Sequence, residues 1–190
     1  MARTREYDQN AVLTGAMEAF RRRGFGGVSI KDLEAETGLK AGSIYNSFGD
    51  KAGLFRAAFD HYLEHVLQER ITEHAPEAAG VAGLRSLFVS LLHEPADGSL
   101  GCLITNIAVE FGGDAPLPNA VFSGLNILSR TFTDRLAAVQ THHAVLPQVG
   151  AAKLLALYQG ILVLIRAGWS KPALENMINA EFDQLERIIT

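Results

Sequence analysis

Between Ser29 and Lys51, in the run SIKDLEAETGLKAGSIYNSFGDK, sits a set of side chains suited to bonding a polyanion. Ser43, Tyr45 and Ser47 carry hydroxyls that bond phosphates or bases, and Asn46 both donates and accepts. Lys40 and Lys51 bracket the set with positive charge, and Ala41, Gly42 and Ser43 are small enough to let a backbone approach closely. These residues need two short helices and a tight turn to hold them. Ser29 is a candidate N-cap, with Asp32 three residues on at capping-box spacing. Ile30, Leu33 and Thr37 share one helical face. Gly38 sits where a helix must stop, because glycine accepts the left-handed conformation without a Cβ clash. Leu39 is expected to plug the angle between the helices. Ile44 and Phe48 give the second helix its inward face, Gly49 ends it, and Asp50 caps a third. The pattern predicts a helix-turn-helix whose second helix sets its N-terminal residues against base edges in the major groove. An ordinary helical hairpin with a solvated polar face has the same pattern.

The same stretch, extended on both sides, resembles the TetR family of transcriptional regulators. The resemblance runs through Val12-Leu13, Gly15-Ala16-Met17, Phe20, Gly24-Phe25, Val28-Ser29-Ile30, Asp32-Leu33, Gly38-Leu39, Gly42-Ser43-Ile44-Tyr45, Phe48, Lys51 and Leu54-Phe55. It implies an all-α protein: a three-helix helix-turn-helix DNA-binding domain over residues 1–52, then a helical effector-binding and dimerisation domain over 53–190. It implies a homodimeric, ligand-responsive regulator, a repressor released from a palindromic operator by a small-molecule effector, with no enzymatic activity and no cofactor. Ser43, Tyr45 and Asn46 would then face bases or nearby phosphates, with Ala41 and Gly42 at the closest approach. Ser29, Lys40 and Lys51 would fix the register on the DNA backbone.

Composition bounds the reading. At 190 residues and 48% hydrophobic, the chain has material for a sizeable core. Its net charge is −4, unevenly spread: residues 1–60 carry nine Lys/Arg against eight Asp/Glu, a balance of +1, and residues 61–190 carry eight against thirteen, a balance of −5. A DNA-binding end joined to a regulatory end predicts that asymmetry. With an excess of only +1, affinity for DNA has to come from where the basic residues sit. The single cysteine, Cys102, excludes an intrachain disulfide and fits a reducing compartment. MARTREYDQN has no apolar secretion segment, and the longest uncharged apolar run, Leu154 to Ile165, is shorter than the roughly 20 residues of a membrane span. The expectation is a soluble cytoplasmic protein without membrane contact.

Along the chain, Arg3 and Arg5 lie in a short basic arm, which reads first as a disordered tail and otherwise as an arm of the kind that reaches a backbone or minor groove. A first helix is expected from about Gln9 to Arg23, with Arg21, Arg22 and Arg23 complementing its dipole or meeting phosphates. A longer helix runs from Asp50 to about Glu73; in the TetR resemblance it connects the two domains. Gly53 near its start lowers helix propensity by up to about 1 kcal/mol and is expected to loosen the first turn. A break over 74–83 precedes a helix from Leu84 to His93, a loop over 94–98, and a helix from Gly101 to Phe111. A connector over 112–118 leads to a helix from Asn119 to about Thr141. The next, Gln148 to Ala167, is apolar around much of its circumference, and Lys171-Pro172 opens the last. Ala151, Ala152, Ala156 and Gly160 are small, and the resemblance implies that the last two helices of each subunit form a four-helix dimer interface. A helix buried within one chain is the other reading. A dimer would set two recognition helices on half-sites roughly 34–36 Å apart.

No catalytic constellation stands out. His61 and His65 have zinc-ligand spacing but lack the HExxH pattern, and His142-His143 lies at a helix end, so no metal is expected. Thr105, Asn106 and Glu110 are polar groups embedded in an apolar helix. With Cys102, Phe111, Phe122 and Trp169 they are the candidate lining of an effector pocket, and Phe88 and Phe132 are either lining or plain core. Cys102 starts a helix, where the dipole favours thiolate. It is either a small buried hydrophobe or the reactive group of a redox or electrophile sensor on the same scaffold. A helical binding or enzymatic protein that has lost DNA binding is a further alternative, which the small basic excess favours and the intact Gly42–Phe48 segment argues against.

Overall fold

The computed structural model describes residues 7–93, 101–111, 118–139 and 146–189, and these are helices and their connections, with no strand among them. Arg3 and Arg5, the loop over 94–98, most of the 112–118 connector and His142-His143 lie outside the described residues.

Four helices make the head: α1 (Gln9–Arg23), α2 (Ile30–Thr37), α3 (Ala41–Phe48) and α4 (Lys51–Tyr62). Ala16, Phe20, Leu33, Ile44, Leu54 and Phe55 are fully buried between them. Each full burial of a Leu, Ile or Phe stabilises by about 1.5–3 kcal/mol, so this apolar set outweighs the weak propensity of two eight-residue helices. The expected capping box is present: the Ser29 hydroxyl accepts from the Asp32 N–H while the Asp32 carboxylate accepts from the Ser29 N–H. Gly38 closes α2 at φ 70°, and Leu39 is buried in the turn.

Gly53 has a reason that the sequence did not reveal. A Cβ at this position would lie 1.9 Å from the Phe48 carbonyl oxygen, so the end of α3 packs directly on the backbone of α4. The Asp50 carboxylate accepts the Gly53 N–H at 2.7 Å, so the first turn is held by its cap. The lost propensity accompanies a contact that only glycine permits.

The connecting helix continues beyond α4, but not as one regular α-helix. A π-helical segment covers Leu63–Gln68 before α5 (Glu69–His74), and the residues at both junctions keep right-handed helical dihedrals. The body is completed by α6 (Gly80–Ser90), α7 (Leu103–Phe111), α8 (Pro118–Val139), α9 (Pro147–Arg166) and α10 (Lys171–Ile189). The helix expected from Leu84 begins at Gly80, and its last residues, Leu91–His93, form a 3-10 turn. Phe88 centres the core, with its ring 5.7 Å from Phe132, 5.2 Å from Tyr158 and 5.1 Å from Phe182. Phe88 and Phe132 are therefore core. α9 packs chiefly on α8 and buries Leu154, Tyr158, Ile161, Leu162 and Ile165. At 20 residues, α9 is long and apolar enough by composition to cross a membrane, which the shorter run read from the sequence had concealed.

His61 joins head to connecting helix. It is 9% exposed, its Nε2 lies 3.0 Å from the Thr14 hydroxyl of α1, and its ring is 4.5 Å from that of His65. Burial first, then the neighbouring His65, lowers its pKa below the usual 6.5, against the opposing pull of Glu64 and Glu69. The folded protein holds this proton less tightly than the unfolded chain, so protonation favours unfolding as pH falls through 6.5. Thermal melts between about pH 7.5 and 5.5 should show stability falling, with a shallower slope in His61→Gln. Equal slopes in the two proteins would remove His61 from the account.

Candidate functional site

α3 buries Ile44 and exposes Gly42, Ser43, Tyr45 and Asn46, with Tyr45 50% exposed. Lys40 is exposed just ahead of the helix, and Ala41, Ser47 and Phe48 are half-buried. The polar set expected to meet DNA therefore lies on the open side of the helix. Lys51 is half-buried, its Nζ 4.4 Å from the centre of the Phe25 ring. A cation over a ring face still has N–H donors for a phosphate.

Ser29 needs correction. Its hydroxyl donates to Asp32 Oδ2 at 2.6 Å and its N–H donates to the same oxygen at 2.9 Å. Both donors are committed to the cap, so in this conformation Ser29 holds α2 and offers no proton to a phosphate. These bonds, with Arg23, lower the Asp32 carboxyl from the usual 3.8 to about 2. The arginines after Phe20 are also engaged internally. Arg22 pairs with Glu36 at 2.8 Å, and Arg23 with Asp32 at 2.7 Å. Arg21 is buried beneath the head.

Arg21 starts a joint between head and body. Its Nε and Nη2 donate to the Gly101 carbonyl at 3.1 and 2.6 Å, and its guanidinium lies 5.5 Å from the centre of the Tyr62 ring. The Arg21 carbonyl in turn accepts from Asn106 Nδ2 at 3.1 Å and from Arg166 Nη1 at 3.4 Å. Glu110, at the far end of α7, accepts the N–H groups of Phe25 and Gly26 at 2.7 and 2.5 Å. Phe111 meets the Phe25 ring edge-on at 5.6 Å. Neither Glu110 nor Phe111 is simply pocket lining: both clamp the turn between α1 and α2. Nothing local announces these bonds, which join residues 80 or more positions apart in the chain.

A cleft of about 640 Å³ opens along this joint. Arg22, Arg23 and Gly24 line its head side; Cys102, Thr105, Asn106, Val109 and Glu110 come from α7 and its N-terminus; Leu162, Val163 and Arg166 come from α9. Four of the candidate pocket residues, Cys102, Thr105, Asn106 and Glu110, are thus brought together. Phe111 is absent from the lining. Phe122 and Trp169 are 65% and 58% exposed and are not among the residues that line this cleft. Phe122 follows the buried Val121, on the outer side of α8, and Trp169 lies beyond the left-handed Gly168 that ends α9. Cys102 is buried at the start of α7, where its carbonyl accepts the Asn106 N–H and its Sγ accepts the Tyr62 hydroxyl at 3.2 Å. Burial, then Cys102, pushes the Tyr62 pKa up. Thr105 donates to Gln159 Oε1 of α9, and Gln159 Nε2 is buried with no partner among the described residues. No group of three or more metal-ligating side chains occurs among the described residues.

An exposed polar helix N-terminus on a three-helix frame, with a helical body behind it, defines a helix-turn-helix DNA-binding protein. Residues 12–58 match the family described as bacterial regulatory proteins, tetR family. The HTH-type transcriptional repressor ComR of Escherichia coli is 27% identical over 176 residues, spanning 88% of this chain and 84% of ComR. The uncharacterised HTH-type regulator YezE of Bacillus subtilis is 34% identical over 116 residues, 58% of each chain. A cysteine-substituted CifR, solved with 26-base-pair operator DNA, superimposes with a TM-score of 0.81 at 20% identity, covering 96% of this chain and 98% of that one. Through its helix-turn-helix the chain is similar to regulators of the TetR family, and it is a DNA-binding transcriptional regulator.

The Glu110 clamp has a local test. Glu110→Ala removes the acceptor for two N–H groups and should cost about 1–3 kcal/mol of stability. Amide exchange at Phe25 and Gly26 should speed up while that of Ile44, inside α3, stays protected. Unchanged exchange at Phe25 and Gly26 would mean that the carboxylate does not hold the turn.

Proposed function

We propose that this regulator is a homodimeric repressor that binds a palindromic operator and is released by a small-molecule effector. Residues 1–52 act as the DNA-binding domain, and 53–190 as the effector-binding and dimerisation domain. The observation that carries the reading is the open polar face of α3, on which Ser43, Tyr45 and Asn46 lie together. Dimerisation is supported by α9, where Val149 and Val163 are 51% and 50% exposed, Ala152 and Ala156 face solvent, and a Cβ at Gly160 would meet nothing within 4 Å. Apolar and small residues on one helical side suit close packing of two copies.

The effector enters the cleft at the head–body joint. Its residues suit a ligand with an apolar body and a few polar groups: Val109, Leu162 and Val163 beside Thr105, Asn106 and Glu110. Because Asn106 and Glu110 also hold the head, a ligand that recruits them favours a different head position. This is a population shift and requires unequal affinity for the two positions.

DNA selection from a random library at two salt concentrations should enrich an inverted repeat. On that site, Asn46→Ala should cost about 1–3 kcal/mol and relax sequence choice. Lys51→Ala should weaken binding to all sequences and reduce the salt slope by about one. Enrichment of no site, or a Lys51→Ala protein with affinity and slope intact, counts against the assignment.

One observation favours electrophile sensing as a second reading. Cys102 lines the cleft, and its sulfur accepts from the Tyr62 phenol, which lies beside the buried Arg21 guanidinium. The thiolate would add to the β-carbon of an α,β-unsaturated carbonyl, forming a C–S bond while a proton is taken up at the α-carbon. Such a compound should release wild-type protein from DNA and add its own mass at Cys102. An undiminished response in Cys102→Ser would discard this reading and leave the reversible effector.

A further inference from the structure

We propose that Glu34 of α2 is the positioning residue of the recognition helix, supplying the N-terminal cap that α3 lacks from its own cap position. The inference rests on the reading of α3 as the helix that enters DNA. The first N–H groups of a helix have no partner within it, and in a helix of eight residues they are a large share of the total. In the head, α1, α2 and α4 meet this need with their own cap side chains: Asp8, Ser29 and Asp50. α3 does not. Its N-cap is Lys40, whose backbone has cap geometry at φ −78° and ψ 152° but whose side chain makes no cap bond. An ammonium has donors only and cannot accept an N–H.

The acceptor comes from the preceding helix. Glu34 Oε1 takes the Ala41 N–H at 2.8 Å, seven residues ahead. The Glu34 carbonyl meanwhile accepts the Gly38 N–H at 3.0 Å, closing α2. One residue therefore ends the first helix of the motif with its main chain and opens the second with its side chain. Between these bonds, the Leu39 N–H is held by the Thr37 hydroxyl at 3.2 Å, and Leu39 itself is buried. The angle between α2 and α3, and with it the direction in which Ser43, Tyr45 and Asn46 point, depends on this carboxylate.

The charge has a second effect. A carboxylate at a helix N-terminus is favourable toward the helix dipole, yet it opposes the approach of a polyanion. Glu34 thus supports sequence choice through its oxygen and lowers affinity for all DNA through its charge. Two substitutions separate the effects. Glu34→Gln keeps an acceptor of the same reach and removes the charge; Glu34→Ala removes both.

The experiment measures affinity of the full-length protein for its selected site and for a random duplex at two salt concentrations, with amide exchange at Ala41 as a readout independent of DNA. Glu34→Gln should bind both duplexes about two- to fivefold more tightly at low salt, with the ratio between them retained. Glu34→Ala should lose about three- to tenfold of that ratio relative to Glu34→Gln, with faster exchange at Ala41. Glu34→Met, similar in length and without an oxygen, repeats the comparison should the alanine variant fold poorly. Equal selectivity in the Gln variant and in the variant lacking an acceptor overturns the proposal, whether or not Ala41 exchange changes. Failure of the underlying reading looks different: Asn46→Ala would leave sequence preference intact while Ala41 exchange still responded to Glu34.

Discussion

A buried arginine sets the geometry of the molecule. Taking a guanidinium out of water is costly unless its donors are met, and two donors of Arg21 are met by the Gly101 carbonyl, 80 residues away. The main-chain carbonyl of the same residue is taken up by Asn106 and Arg166. The end of α1 is therefore tied to the start of α7 and the end of α9 by polar bonds. Apolar packing brings head and body together without fixing their angle, because it is not directional. The hydrogen bonds around Arg21 supply direction, and Glu110, binding Phe25 and Gly26 a few residues on, supplies a second point of attachment.

Two attachments fix an angle that one would leave free. They lie at opposite ends of α7, so a shift of this helix acts on both. The cleft runs between them, and Asn106 and Glu110 belong to the cleft and to the attachments alike. Head position and cleft contents are thereby written into the same side chains. Beyond the clamp, Phe25 contacts Phe111 on one side and Lys51 on the other, so the turn that Glu110 holds also supports a lysine at the start of α4.

What could be read from the sequence follows from the range of each interaction. The capping box at Ser29 and Asp32, the left-handed stop at Gly38 and the Asp50 cap all act over three or four residues and left their pattern in the chain. Both ends of α2 and the start of α4 were placed for that reason. Gly53 was misjudged because its reason, the Phe48 carbonyl, is a packing contact and not a propensity. The π segment at Leu63–Gln68 adds a residue to a turn without altering the apolar pattern enough to be noticed. Phe122 and Trp169 were assigned to a pocket on residue type alone, and their exposure shows that type does not say which side of a helix faces inward. Cys102, Thr105, Asn106 and Glu110 were found together because polar residues inside an apolar helix need partners, a physical requirement that holds wherever the partners come from.

The same accounting bears on the small positive excess of the head, which had favoured a protein that no longer binds DNA. A count of +1 treats every carboxylate as an opponent of the phosphate backbone. Most of the head's carboxylates are otherwise engaged. Asp8, Asp32 and Asp50 accept helix N-terminal N–H groups, and Glu36 with Glu18 lies against Arg22. An acid at a helix terminus answers partial positive charge that is already part of the protein, and an acid paired with arginine forms a nearly neutral couple at a distance. Meanwhile Lys31, Lys40 and Arg56 are exposed, and Lys40 directly precedes the open face of α3. The field a phosphate meets there is set by which charges remain uncompensated nearby, within a Debye length of about 10 Å, and not by the sum over sixty residues. The weak excess is what a head built from four short, capped helices looks like in a charge count, and it carries no argument against DNA binding.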